Sequence, residues 1–143
     1  MTTDNEIMQQ EAQAMRTLYA SFSAGNTDRL NDAVTADWRD IPLGPGQGPG
    51  PDGFKPLLNG FLAALPDLEI FVLETLHVPG RAAVRAELRG THRGELMGIA
   101  ATGRQIVLPI HEFHEFRDGR IAVTRHMEDW YGLFRALGVF PPA

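Results

Sequence analysis

The stretch Gly90–Gly138, GTHRGELMGIAATGRQIVLPIHEFHEFRDGRIAVTRHMEDWYGLFRALG, decides the fold. GRQIVLPIHEFHEF alternates as a strand, Asp118-Gly119 is a strong turn signal, and RIAVTRHME is the strand that follows. DWYGLFRALG closes the chain as a short helix, with Trp130, Leu133, Phe134 and Leu137 on one face and Gly138 at its end. Four of the five histidines fall in this stretch, beside several carboxylates. Titratable groups set on apolar strands are what a small proton-transfer pocket needs.

Working upstream, RAAVRAELRGTHRGELMG reads as one long strand, and LEIFVLETLHV as its partner across the Pro79-Gly80 turn. Before Pro66 the period is helical. Phe54, Leu57, Leu58, Phe61, Leu62 and Leu65 make a stripe at three-four spacing, with Asp52 placed to cap it. LGPGQGPGPDG is a Gly/Pro-rich loop without regular structure. Thr3 and Glu6 have capping-box spacing ahead of a first helix that Gly25 stops, and Thr27 is placed to cap a short second helix through Leu30 and Val34. Helices first and an antiparallel meander afterwards predict an α+β domain over 1–143, its helices covering one face of a curved sheet that wraps into a cone with an internal pocket.

Composition bounds the function. A chain of 143 residues is one domain by size, burying about 68–70% of its unfolded surface. A net charge of −5 argues against an electrostatic grip on nucleic acid or anionic membrane. No cysteine is present, which excludes disulfides and thiol chemistry and fits a reducing compartment. The N-terminal residues lack a basic and an apolar region of the secretory kind, and no apolar run approaches the ~20 residues of a transmembrane helix. A cytoplasmic protein is expected, with no nucleic-acid and no membrane partner. Val107, Pro109 and Phe113 give the outer sheet face an apolar character, from which a homodimer or higher homo-oligomer is expected.

GTHRGELMGIAATGRQI, HEFRDGRI and HMEDWYGLFRALG, in that order and spacing, resemble the SnoaL-like polyketide cyclase or ester cyclase family, whose fold is the nuclear-transport-factor-like cone. ADWRDIP and GPDGFKPLLNGFLAALPDLEI are similar to that family's upstream pattern, so the resemblance spans most of the chain and is strongest from Asp37 onward. It implies ring closure by intramolecular aldol condensation without metal or cofactor. A pocket carboxylate would take a proton from an activated carbon and return one to the ketone oxygen. Counted from the DGRI turn, the family's acid/base aspartate falls on His126, a departure. The second aspartate of the pattern is kept at Asp129. Folds of this type host unrelated chemistries, so the motifs do not name a substrate.

Each candidate carries two roles. His126 is a general base/acid if the apolar set Ile121, Val123 and Met127 faces outward, and a surface residue if that set faces the helices. Asp129 is its orienting partner or an N-cap for the closing helix. His92, sharing parity with Val84, Ala86 and Leu88, is a substrate contact or a hydrogen-bonded core histidine. Glu112 and His114 follow Ile106, Leu108 and Ile110 on one face, as oxyanion or hydroxyl contacts or as a structural polar pair. Asp40 reaches the pocket mouth or is a solvated turn carboxylate, and Trp38, Phe54 and Trp130 are placed to hold a hydrophobic small molecule. His111 and His114 are three apart on a strand and point to opposite faces, so no metal site is expected. Two function classes follow. One is a cofactor-free acid/base enzyme on a small hydrophobic carbonyl or polyketide-like compound, by aldol-type cyclisation, isomerisation or dehydration, or hydrolysis. The other is a non-catalytic ligand-binding or dimerisation module on the same cone.

Overall fold

The computed structural model describes residues 1–139. The first helix, α1 (Asp4–Ala20), starts on the expected capping box: the Glu6 N–H donates to Thr3 and the Thr3 N–H donates back to Glu6. It ends at Ser21 rather than at Gly25, because the Ser21 hydroxyl and N–H both bond back to the last turn. Thr27 opens a 3₁₀ turn (Thr27–Arg29) that runs into α2 (Leu30–Ala33), and no side chain caps it. Val34, expected in that helix, begins β1 (Val34–Ile41) instead.

The helix α3 (Gly50–Ala64) begins two residues ahead of the expected cap Asp52, which lies in its first turn and pairs with Lys55. A Cβ at Gly53 would lie 2.0 Å from the Gly48 carbonyl oxygen, so glycine there lets the Gly/Pro loop fold flat onto α3. The strands β2 (Glu69–Val78), β3 (Arg81–Thr91), β4 (Gln105–Arg117) and β5 (Arg120–Glu128) form the expected antiparallel meander. Asp118 and Gly119 both take positive φ, as a tight two-residue hairpin turn requires. β3 stops at Thr91, short of the expected Gly98, and His92 falls in the connection to β4. The sheet order is β1-β5-β4-β3-β2, and β1 joins parallel to β5, so the sheet is mixed and open. The closing helix α4 (Trp130–Leu137) ends at Gly138 in the left-handed conformation.

One irregularity aims the site. Phe116 pairs with Ile121 but Glu115 pairs with Val123, leaving Ala122 as an extra residue in β5. That bulge breaks the period-2 alternation that relates His126 to Ile121. Ile121 is buried, yet so is Thr124, while Met127 is 75% exposed. Thr124, His126 and Glu128 therefore line the concave face, against the helices. The apolar set Ile121, Val123 and Met127 does not share one face.

The core lies between the concave face and α1–α3, with Leu30, Leu58 and Ile121 among the fully buried side chains. Each contributes about 1.5–3 kcal/mol by burial. A second cluster joins α4 to the far end of β3 and β4 through Leu88, Leu108 and Leu133. Among the described residues no helix is long and apolar enough to cross a membrane.

Candidate active site

Between the concave sheet face, α1, α3 and the Gly/Pro loop lies a cavity of about 540 Å³. Its walls are mostly apolar. Trp38 meets Phe54 edge-on with ring centroids 5.5 Å apart, and Trp130 stacks on Phe61 at 6.2 Å. Set into this wall are Asp40 from β1, Glu112 from β4, and His126 and Glu128 from β5. A groove of about 660 Å³ between α1 and β2 is lined by none of the predicted site residues.

Two polar clusters meet in the cavity. Around His126, Nδ1 donates to Glu128 Oε1 at 2.6 Å and Nε2 donates to the Pro42 carbonyl at 2.7 Å, with Asp40 Oδ1 3.4 Å from Nε2. Every atom facing the ring is an acceptor, so both nitrogens carry protons and His126 is an imidazolium. Burial opposes that charge, but the Glu128 hydrogen bond, the charges of Asp40 and Glu128 and the Pro42 carbonyl outweigh it and raise the pKa to about 9. Asp40 is itself buried, which raises its pKa, while a hydrogen bond from Gln47 Nε2 at 2.9 Å and the His126 charge pull it back.

The second cluster starts at Glu112, directly opposite His126 in the β4–β5 register. Tyr19 donates its phenolic proton to Glu112 Oε1 at 2.8 Å, and its oxygen is 2.9 Å from His114 Nε2. Burial lifts the Glu112 carboxyl to about 7, against the Tyr19 hydrogen bond and the His126 charge, while the charges of Asp40 and Glu128 add to the rise. His114 is fully buried between Tyr19 and Thr124, and burial alone lowers its pKa to about 4. At neutral pH the cavity thus holds a fixed cation and, facing it, a carboxyl poised between its acid and base forms. Such a pair can take a proton from a carbon acid and hold the resulting negative charge.

The predicted residues divide by place. Asp40, Glu112, His126, Trp38 and Trp130 line the cavity. His114 stands behind the wall, in contact with it through Tyr19. His92 is buried in the β3–β4 connection, its Nδ1 2.9 Å from the Thr102 hydroxyl, and does not line the cavity. Asp129 accepts from the Gly132 N–H at 2.9 Å and caps α4, outside the cavity lining. Its carboxylate is committed to the helix end, so it does not orient His126; Glu128 does. Tyr19, Gln47 and Glu128 escaped the sequence reading. Glu128 was findable, since it shares strand parity with His126; Tyr19 was hidden within the apolar stripe of α1, and Gln47 within the loop.

Comparison with known proteins agrees with this architecture. The family model described as SnoaL-like polyketide cyclase matches residues 12–137. Aklanonic acid methyl ester cyclase AcmA of Streptomyces galilaeus is 30% identical over 142 residues, covering 92% of each chain. Among solved structures, TsrD from Streptomyces laurentii superposes with a TM-score of 0.83 at 22% identity, over 92% of this chain and 97% of that one. A SnoaL-like polyketide cyclase from Agrobacterium tumefaciens superposes with a TM-score of 0.71 at 23% identity, over 96% and 100%. At those identities the two structures speak for the fold alone. The family match and the AcmA likeness support a cyclase-type role, and the chain belongs to the SnoaL-like polyketide cyclase family.

Proposed function

We propose that the protein closes a ring in a hydrophobic, polyketide-like carbonyl compound by an intramolecular aldol-type step driven by its own acid/base groups. The observation that carries this is the facing pair, Glu112 poised near neutrality and His126 held as a cation, inside one apolar cavity. In this reading the general base expected at His126 moves to Glu112. An imidazolium whose two N–H groups are both engaged has no lone pair with which to take a proton. Glu112 takes a proton from the carbon flanked by carbonyls, leaving an enolate. The enolate carbon attacks the ketone within the same molecule, and the carboxylic acid returns its proton to the new alkoxide. His126 lowers the energy of both anions through its charge. Asp40 and Glu128 keep it protonated, and Trp38, Phe54 and Trp130 hold the ring system.

The sheet's outer face supports self-association as part of this proposal: Phe113 is 62% and Met127 75% exposed there. Sedimentation of the wild type against Phe113→Asp tests it, and a wild-type monomer sinks it.

For the catalytic proposal, aklanonic acid methyl ester, the compound in the AcmA name, is the first probe. Incubation in deuterated buffer is expected to give a cyclised product and to speed deuterium uptake at the attacking carbon of recovered ester above the rate in buffer alone, with both effects lost in Glu112→Gln. An ester that binds but neither exchanges nor cyclises would leave a ligand-binding cone in place of an enzyme.

A further inference from the structure

Behind Glu112 runs a line of buried hydrogen bonds that the reaction above does not use. The Trp38 indole Nε1 donates to the Thr124 hydroxyl oxygen at 3.0 Å. That oxygen is 2.9 Å from His114 Nδ1, His114 Nε2 is 2.9 Å from the Tyr19 oxygen, and Tyr19 reaches Glu112 Oε1 at 2.8 Å. Trp38, Thr124 and His114 are all buried, so each proton in the line needs an acceptor within it.

Counting donors sets the direction. Indole nitrogen is donor only, so Thr124 accepts from Trp38. If Thr124 then donates to His114 Nδ1, His114 Nε2–H donates to Tyr19 and Tyr19 donates to Glu112, every proton has an acceptor. In the opposite sense His114 Nδ1–H would donate to Thr124, whose own proton would then have no acceptor among the described residues. Burying such a proton costs more than the bond it replaces contributes. Only the first arrangement satisfies the line, and it requires a neutral His114 with its proton on Nε2.

We propose that Trp38, Thr124, His114 and Tyr19 form a one-way hydrogen-bond chain ending on Glu112, making His114 and Tyr19 positioning residues for that carboxylate. The chain keeps Oε1 as a permanent acceptor. The second oxygen, Oε2, has no protein hydrogen bond among the described residues and is the atom that exchanges protons with a ligand. This rests on Glu112 as the proton acceptor proposed above. The titratable groups facing Glu112 are Tyr19 from α1, His114 from β4, His126 and Glu128 from β5 and Asp40 from β1. Burial and the neighbouring carboxylate keep Tyr19 protonated far above neutrality, so it remains a donor while the others titrate.

Imidazole ¹⁵N spectra of the ligand-free protein test the direction. At neutral pH His114 is expected to show an unprotonated Nδ1 and a protonated Nε2. Thr124→Val should abolish that preference, and Thr124→Ser, which keeps the hydroxyl, should retain it. A ¹³C titration of the Glu112 carboxyl should move up by about one to two pH units in Tyr19→Phe, the size of one hydrogen bond to a charged group. A wild-type His114 with its proton on Nδ1, or a Glu112 midpoint unmoved by Tyr19→Phe, would overturn the chain. Neither readout uses turnover. Normal turnover in Glu112→Gln would overturn the proton-acceptor role while these spectra still decide the chain. In an active wild type, Tyr19→Phe should lower kcat more than it raises KM and shift the acid limb of the kcat profile upward.

Discussion

His114 and His126 lie on neighbouring strands with side chains on the same concave side, and their pKa values are pushed to about 4 and about 9. Burial lowers both. What separates them is the neighbour set: His114 sits between two hydroxyls, which can donate as well as accept, whereas His126 sits between a carboxylate and a carbonyl, which only accept. A buried imidazole without a charged acceptor stays neutral, and one boxed in by acceptors becomes a cation. In the proposed reaction the same contrast makes one a rigid support and the other an electrostatic group.

The largest test of that division lies between them, at Glu112. Glu112→Gln keeps the volume and is expected to lower turnover by about 10²–10⁴-fold, the range of a lost general base. Its stability should move the other way. The folded carboxyl holds its proton to about 7 against an ordinary value of 4.5, so burying its charge costs nothing at pH 4 and the full amount above pH 7. Thermal melts at pH 8 should find Glu112→Gln more stable than wild type, with on the order of 3 kcal/mol as an upper limit.

Removing the acceptors tests the cation directly. Glu128→Gln deletes the nearest carboxylate, and the His126 midpoint measured by NMR should fall from about 9 by at least a unit; Asp40→Asn should lower it less. A midpoint that stays put in the double variant would show that the ring is not held by its acceptors. The two histidines should also leave opposite marks on stability against pH. His126, raised, contributes stability that is present below pH 6.5 and lost as pH climbs through about 9. His114, lowered, contributes stability that is present above pH 6.5 and lost as pH falls through about 4. His126→Gln should flatten the alkaline slope of the unfolding free energy.

The smallest expected effect is at Asp129. As a cap it should cost about 1 kcal/mol on replacement by Ala and much less by Asn, with kcat unchanged in both. Loss of turnover in a well-folded Asp129→Asn would return that carboxylate to the reaction.

Much of this was legible in order along the chain, because the signals are local. A strand period of two put Glu112 and His114 on the face of Ile106, Leu108 and Ile110, and all of these point inward. The Thr3–Glu6 box, the Asp118-Gly119 turn and Gly138 each act within a few residues and stand where expected. The same rule failed at β5, where the extra residue Ala122 resets the alternation, a pairing event between strands that no single strand reveals. At His92 it held for burial: the side chain is fully buried as its parity predicts, but β3 ends before it and it meets Thr102 rather than the cavity.

By itself, then, the sequence determined the order of helices and strands, the inward face of β4 and the family resemblance. All rest on neighbours in the chain and on the hydrophobic period. Only the tertiary structure decided which carboxyl is raised toward neutrality and which imidazole is held as a cation. A pKa is set by atoms within a few ångströms, and those come from afar: Pro42 is 84 residues from His126, and Tyr19 is 93 from Glu112. The fold brings four separate elements onto two side chains, and their charges and lone pairs, rather than the residue types, assign the chemistry.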